Sequence, residues 1–287
     1  MGQGRLSGTV SDPEQLHILN CFHEAAAVLG RAQDLTPANE NVNRCLKAFV
    51  QAVLDCRIGA QHTDLLDRAD VRALRAPLVQ KLSEAEFQME LFYARPGRLD
   101  SFPYHDNYRD LVAEEIRALG DSTVQGDVYF IGSGPLPLTA IEFARQTGRG
   151  VICIEKDPEA AALSRRVIAD LGLSDKVCVR EGDGARLDYQ GAGLVMIAAL
   201  VEGKEATLLN IRKTAPDAMI GIRSAEGLRT LLYDPVDPQE IARNGYRLAS
   251  QTRATPAIVN TTLFFSPLPV CGATEAKPVS GAFIPAP

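Results

Sequence analysis

Three glutamates, Glu84, Glu86 and Glu90, stand close together in a segment whose apolar residues recur at helical spacing. Glu86 and Glu90 are four residues apart and therefore share one face of a helix. Two enclosed carboxylates this close do not both ionise freely, so one is raised towards neutral pH and can accept a proton. The same spacing also describes an ordinary solvated helix face. A second group of residues lies further along. The apolar run Asp127-Val128-Tyr129-Phe130-Ile131 leads into Gly132-Ser133-Gly134-Pro135-Leu136-Pro137. A glycine-rich turn after a strand lets backbone approach a ligand and aims a helix N-terminus at it. Pro137 stands where the dinucleotide fingerprint needs its third glycine, which argues against a pyrophosphate site. Glu155 closes the next apolar run, 21 residues after Gly134, where an acid accepts hydrogen bonds from a ribose diol. Asp183, in Glu181-Gly182-Asp183-Gly184, follows the third run and is placed to bind an adenine amine. Together these residues predict a nucleoside-containing ligand across the strand ends, with S-adenosylmethionine a better fit than NAD. The bland alternative is a tight turn with two solvated acids.

Other reactive side chains form no such pattern. The four histidines, 17, 23, 62 and 105, make no ligand spacing with cysteine or acid, so no protein-bound metal is expected. None of the six cysteines forms a CxxC pair. Cys153 and Cys178 lie inside apolar runs and read as small buried hydrophobes of a reducing compartment.

The elements that must position these residues fall into two parts. Ser11-Asp12-Pro13-Glu14 reads as a capping box opening a helix through Leu16, Leu19, Phe22, Ala26 and Leu29, stopped near Gly30. A second helix starts at Thr36-Pro37, a third runs from Leu65 to about Tyr93, and a fourth covers about 107–119. From residue 121 short apolar runs alternate with helical stretches. Strands are predicted at 127–131, 150–154, 176–180, 193–198 and 218–223, with later strands at 246–249 and 258–265. That alternation predicts a parallel sheet covered on both faces. The domain reading is a helical N-terminal part, 1–120, forming the lid and acceptor side. A Rossmann-like domain, 121–266, follows it, and then a flexible Pro/Gly/Ala-rich tail, 267–287.

Composition narrows the function classes. The chain has 287 residues, 46% hydrophobic and 23% charged, which is ordinary globular composition. A net charge of −6, no Trp and 6% aromatic residues argue against a nucleic-acid partner. No apolar run reaches membrane-span length and the first residues carry no basic-then-apolar leader, which predicts a soluble cytoplasmic protein with no membrane partner. A homodimer is the base-rate expectation.

Several blocks resemble one family. FIGSGPLPLTAI (130–141) looks like the signature of nicotianamine synthases. MIAALVEGKEA (196–206), IRSAEGLRTLLYDPVDP (222–238), FPYHDNY (102–108) and the acids Glu84, Glu86 and Glu90 match further family segments in order, over about residues 80–265. His105 and Asp106 replace Tyr and Asn of the plant members, and the segment between Glu90 and Phe102 is shorter, as in the bacterial opine-metallophore branch. The resemblance implies an α/β, methyltransferase-type Rossmann-like sheet behind a helical lid. It implies transfer of the 3-amino-3-carboxypropyl (aminobutanoyl) group of S-adenosylmethionine to histidine or a similar small amino acid, with methylthioadenosine released. A partner opine dehydrogenase would act next. The variants left open are a nicotianamine synthase adding several such groups and an ordinary methyltransferase. In this comparison Glu86 is the base meeting the attacking nitrogen and Tyr104 is a second catalytic candidate, its phenol bonding the amine or the arm carboxylate, or else simply packing between domains. Gly132, Ser133, Gly134, Pro135, Leu136, Glu155, Asp183 and Ala198 are the expected co-substrate residues. Asn107, Tyr108, Arg223 and Tyr233 are the expected substrate residues. Arg223 is read either as a carboxylate clamp or as an interface residue paired with Glu226 or Asp234.

Overall fold

The structure is a computed structural model and describes residues 13–56, 64–120, 125–253, 255 and 258–269. The predicted capping serine and aspartate, His62, Cys271 and most of the tail segment lie outside the described residues. Helices α1 (Pro13–Arg31), α2 (Glu40–Asp55) and α3 (Ala69–Tyr93) form the N-terminal layer. Asn39 caps α2 by accepting the Val42 N–H. The three helices bury one stripe each, with Phe22 and Phe49 edge to face at 6.0 Å between ring centres. The predicted third helix begins later than Leu65, which is buried in the turn ahead of α3.

Helix α4 (His105–Leu119) leads into β1 (Asp127–Ile131), α5 (Leu138–Thr147), β2 (Val151–Glu155), α6 (Pro158–Asp170), β3 (Val177–Glu181) and β4 (Ala192–Ile197). Helix α7 (Lys204–Thr214), β5 (Met219–Ser224), α8 (Pro238–Arg243), β6 (Tyr246–Gln251) and β7 (Thr261–Pro267) complete the chain. Each of the seven predicted strands forms, β1 with its predicted bounds and the others with ends moved by at most three residues. The crossover from β4 to β5, which parallel strands require, is α7, with Leu208 and Ile211 turned onto the sheet.

The sheet order is β3-β2-β1-β4-β5-β7-β6. Strands β1 to β5 pair in parallel, and β7 runs antiparallel between β5 and β6. This is the doubly wound α/β architecture predicted from the alternation of elements. Its two faces carry separate apolar cores: Val128, Phe130, Cys153, Leu194 and Met196 on one, Tyr129, Ile131, Ile154, Val195 and Ile197 on the other. Full burial fails at β3. It is an edge strand, so Cys178 is exposed rather than buried as its apolar run suggested. The segment from Ala94 to Leu119 packs into the core of the sheet, not that of α1 to α3. A boundary drawn at 120 therefore falls after a helix that packs with the sheet. The loop following β5 does the reverse, sending Leu231 and Leu232 into the core of the helical layer.

Candidate active site

Strand order reverses direction between β1 and β4, and in open α/β sheets the crevice beyond such a switch point receives the ligand. The glycine turn sits there. Gly132 and Gly134 have φ of +74° and +66°, a region costly for residues with a Cβ. A Cβ on Gly132 would strike Val201, and one on Gly134 would strike Glu90 Oε2. Only these two glycines of the turn keep surface exposure. Ser133, Pro135 and Leu136 are buried. Leu136 belongs to the sheet core, and Ser133 Oγ lies towards the Cys153 thiol without a hydrogen bond of ordinary geometry. These three residues shape the turn from behind, so what the turn offers a ligand is glycine backbone. Ala198 follows β4, packs beside Gly132, and donates its N–H to Ile131 at 3.1 Å.

Glu155 holds this turn in place. Its Oε2 accepts the Gly134 N–H at 2.8 Å and its Oε1 the Asp157 N–H at 2.9 Å, with the residue 6% exposed. Each oxygen keeps a second lone pair, so a ribose diol would be bound in addition to this support. Asp183 is exposed and turned on its own loop, accepting the Ala185 N–H at 2.9 Å and pairing with Arg186 at 3.4 Å.

Across from the turn, α3 presents Glu86 and Glu90. Tyr233, in the loop after β5, donates to Glu86 Oε2 at 2.6 Å, and Tyr108 of α4 donates to Glu90 Oε1 at 3.2 Å. All four side chains lie deep in the protein mass yet keep partial exposure, so they line a cleft. Burial raises the Glu86 carboxyl above the ordinary carboxylate range, opposed by the Tyr233 hydroxyl and the charge of Arg223. Burial raises Glu90 further, reinforced by the neighbouring Glu86 charge and weakly by Glu155, and opposed by Tyr108 and Arg223. Both phenols are pushed well above their usual value, chiefly by burial and then by the acids they face. The arrangement is two carboxyls tied to two neutral hydroxyls over a backbone cradle. It can bind a cationic nitrogen and take a proton from it.

The other expected residues are placed differently. Tyr104 precedes α4, is 40% exposed and packs edge-on to Phe102 at 5.6 Å. It is Tyr108, expected as a substrate residue, that meets the acid pair. Asn107 is exposed beside it. His105 bonds the Leu99 carbonyl through Nε2 at 2.9 Å, within its own turn. Among the described residues no group of three His, Cys, Asp or Glu is arranged to hold a metal ion.

Arg223 pairs with neither Glu226 nor Asp234. Its Nε and Nη2 meet Glu115 Oε1 and Oε2 at 2.9 and 3.2 Å, and Nη2 also donates to Thr139 at 3.1 Å. Thr262 donates to Glu115 Oε1 at 2.6 Å, and the guanidinium lies 5.2 Å over the Phe130 ring. Sequence reasoning missed Glu115, but a signal existed. It falls on the α4 face that also holds Leu111, Val112 and Leu119, so it is an acid at a core position. A cavity of about 470 Å³, lined among others by Asp127, Arg149 and Lys176, opens at the opposite ends of β1 to β3, away from these groups.

With this geometry in view, the model of the family described as nicotianamine synthase protein matches residues 15–270. This chain belongs to the nicotianamine synthase family. Nicotianamine synthase 3 of Oryza sativa subsp. indica is 30% identical over 271 residues, covering 85% of this chain and 77% of that protein. The L-histidine 2-aminobutanoyltransferase of Pseudomonas aeruginosa strain PAO1 is 31% identical over 189 residues, covering 64% and 69%. Among solved structures, MtNAS in complex with MTA and tNA superposes with a TM-score of 0.72 at 28% identity, over 92% of this chain and all of that one. A glutamate-to-glutamine mutant of MtNAS in complex with S-adenosylmethionine gives 0.69 at 29% identity, over 87% and 98%. The family match thus takes in α1 and α2 as well as the sheet, and reaches further towards the N-terminus than the resemblance over about residues 80–265.

Proposed function

We propose that this protein transfers the 3-amino-3-carboxypropyl group of S-adenosylmethionine to the α-amine of histidine and releases methylthioadenosine. Family membership makes the chain an S-adenosylmethionine-dependent aminobutanoyltransferase. The observation that carries the reading is the acid pair. Glu86, raised by burial and held by Tyr233, stands on the helix that covers the glycine turn at the sheet's switch point. S-adenosylmethionine suits that turn. Gly132 and Gly134 let Val201 and Glu90 lie against the turn where a Cβ would stand, Glu155 lies beneath it with lone pairs for a diol, and Glu90 brings a carboxylate to the side where a sulfonium charge would lie.

The chemistry balances simply. The amine lone pair forms a bond to the terminal carbon of the aminobutyrate arm, and the carbon–sulfur bond breaks. Its electrons stay on sulfur as a neutral thioether. The sulfonium needs no acid, but the amine must be neutral, and an α-ammonium is mostly protonated at pH 7. Glu86 accepts that proton, and Tyr233 orients the carboxylate that receives it. Tyr108 and Glu90 hold the attacking amine against the turn. Tyr104 remains a proposed contact only at the cleft mouth, with Asn107 beside it.

Histidine as acceptor is supported by the bacterial relative's activity and by the branch features at His105 and Asp106. The same reading puts the enzyme in a cytoplasmic opine-metallophore route, its product passed to a dehydrogenase that condenses it with a 2-oxo acid. No helix among the described residues is long and apolar enough to cross a membrane. The test is mass spectrometry of purified protein with S-adenosylmethionine and L-histidine, D-histidine, glutamate or no acceptor. Methylthioadenosine with a histidine adduct of one aminobutanoyl unit is the expected result. Products of several units without histidine would move the protein to nicotianamine synthesis. S-adenosylhomocysteine with a methylated acceptor would overturn the transfer itself.

A further inference from the structure

Arg75 belongs to none of the sequence blocks that carry the family resemblance, yet it grips the loop that serves the acid pair. It lies eleven residues before Glu86 on α3, about three turns and ~16 Å along the same helix face. Its Nε donates to the Thr230 carbonyl at 2.7 Å. Its Nη2 donates to the Tyr233 carbonyl at 3.2 Å and to Asp234 Oδ1 at 2.8 Å. Its side chain is 24% exposed, whereas that of Asp234 is 67% exposed, so the two carbonyls are the sheltered partners. The tyrosine whose backbone Arg75 holds is the one whose hydroxyl meets Glu86 at 2.6 Å. One helix therefore contacts this loop twice, by a cation on Tyr233's carbonyl and by a carboxylate on its phenol.

We propose that Arg75 is a positioning residue for proton transfer, fixing the loop so that the Tyr233 hydroxyl stays on Glu86. This rests on the reading of Glu86 as the base. A short single-turn segment, Gly227–Leu231, precedes Tyr233, and the Leu231 and Leu232 side chains anchor it from the other side. Those apolar anchors set the loop's depth. The Tyr233 N–H bonds the Arg229 carbonyl at 3.2 Å, and the fork of Arg75 holds the Tyr233 carbonyl on its other side. Removing the fork frees the phenol to leave the carboxylate. Glu86 would then face Glu90 on its own helix, Tyr108 from α4 and Arg223 from β5 with one hydrogen bond fewer to its ionised form. Burial would dominate more strongly, and the carboxylate would form only at higher pH.

The experiment is the pH dependence of kcat for wild type, Arg75→Ala, Arg75→Lys, Tyr233→Phe and the double variant Arg75→Ala/Tyr233→Phe, at saturating S-adenosylmethionine and below each variant's melting temperature. Alanine is a good helix former, so α3 itself is not broken by the change. Tyr233→Phe is expected to move the low-pH limb upward by about one to two units, the worth of one hydrogen bond to a charged group. Arg75→Ala should move it in the same direction, Arg75→Lys by less, and KM for S-adenosylmethionine should hold. In the Tyr233→Phe background, Arg75→Ala should add nothing. If Tyr233→Phe leaves the limb unmoved, the base assignment of Glu86 fails and takes this inference with it. If Tyr233→Phe moves the limb while Arg75→Ala does not, or the two shifts add fully, the base assignment stands and Arg75 does not act through Tyr233.

Discussion

Glu115→Ala isolates the ion pair that ties α4 to the sheet behind the acid cleft. In the folded protein the Glu115 and Arg223 side chains are 1% and 7% exposed. The carboxylate takes two bonds from the guanidinium and one from Thr262. The alanine variant leaves a fully charged guanidinium in the core with Thr139 and the Phe130 ring as its remaining close contacts and only the more distant Glu86 and Glu90 as acids. It also strips Thr262 of its acceptor. Arginine does not neutralise itself by losing a proton, so the cost is not relieved that way. Breaking a buried pair from one side costs about 3–5 kcal/mol. At about 2–4 °C per kcal/mol for a chain of this size, the melting temperature should fall by about 6–20 °C. Thr262→Val removes one charged-acceptor bond and keeps the pair, so it should cost less, about 1.5–3 kcal/mol. The double change Glu115→Leu/Arg223→Met replaces both charges by apolar groups and should regain most of the loss, since such replacements are often neutral or stabilising. Urea unfolding followed by circular dichroism measures all three. A loss within about 1 kcal/mol for Glu115→Ala, or no recovery in the double variant, would refute the view that Glu115 is there to neutralise Arg223.

Three further outcomes follow from the cleft. Glu86→Gln keeps the shape of the side chain and an oxygen for Tyr233, so S-adenosylmethionine affinity by calorimetry should hold while kcat falls by about 10²–10⁴; equal loss of both would make Glu86 structural. Glu155→Ala removes the acceptor that pins the Gly134 N–H, so S-adenosylmethionine binding itself should weaken by about tenfold or more, and an unchanged Kd would end its role at the turn. Glu90 has its carboxyl raised by folding, so the folded state holds that proton to higher pH than the unfolded chain. Its contribution is therefore favourable below the ordinary carboxylate range and is lost as pH rises through the folded value. Glu90→Gln should accordingly stabilise the protein at pH 7 and give no such gain near pH 4, read as melting temperature across that range.

Most of the architecture was legible because burial writes itself into apolar spacing. The runs at 127–131 and 193–198 are continuous, as strands covered on both faces must be, and they became β1 and β4. The misreading at Cys178 has the same root. An apolar run looks alike in a central strand and in an edge strand, and only the sheet order put β3 at the rim. The Gly132-Ser133-Gly134 turn was visible because few residues other than glycine accept positive φ. Its division of labour was not. The sequence does not say that Ser133 and Leu136 point into the core while the glycines face the cleft.

The residues themselves determined a strand–turn–helix cradle, a pair of acids on one helix face and a family of enzymes. These follow from contacts within a few turns of chain or from blocks of matching residues. Partnerships across long separations were decided only by the tertiary structure. Arg223 found Glu115, 108 positions away, rather than the nearby Glu226 or Asp234. Glu86 found Tyr233, 147 positions away. Tyr108, not Tyr104, met Glu90, because α4 turns the later residue of FPYHDNY towards α3 and leaves the earlier one against Phe102. A side chain's chemistry is local, but its partner is whatever the packing of distant elements brings within hydrogen-bond reach, and burial of both charges then makes that choice costly to reverse.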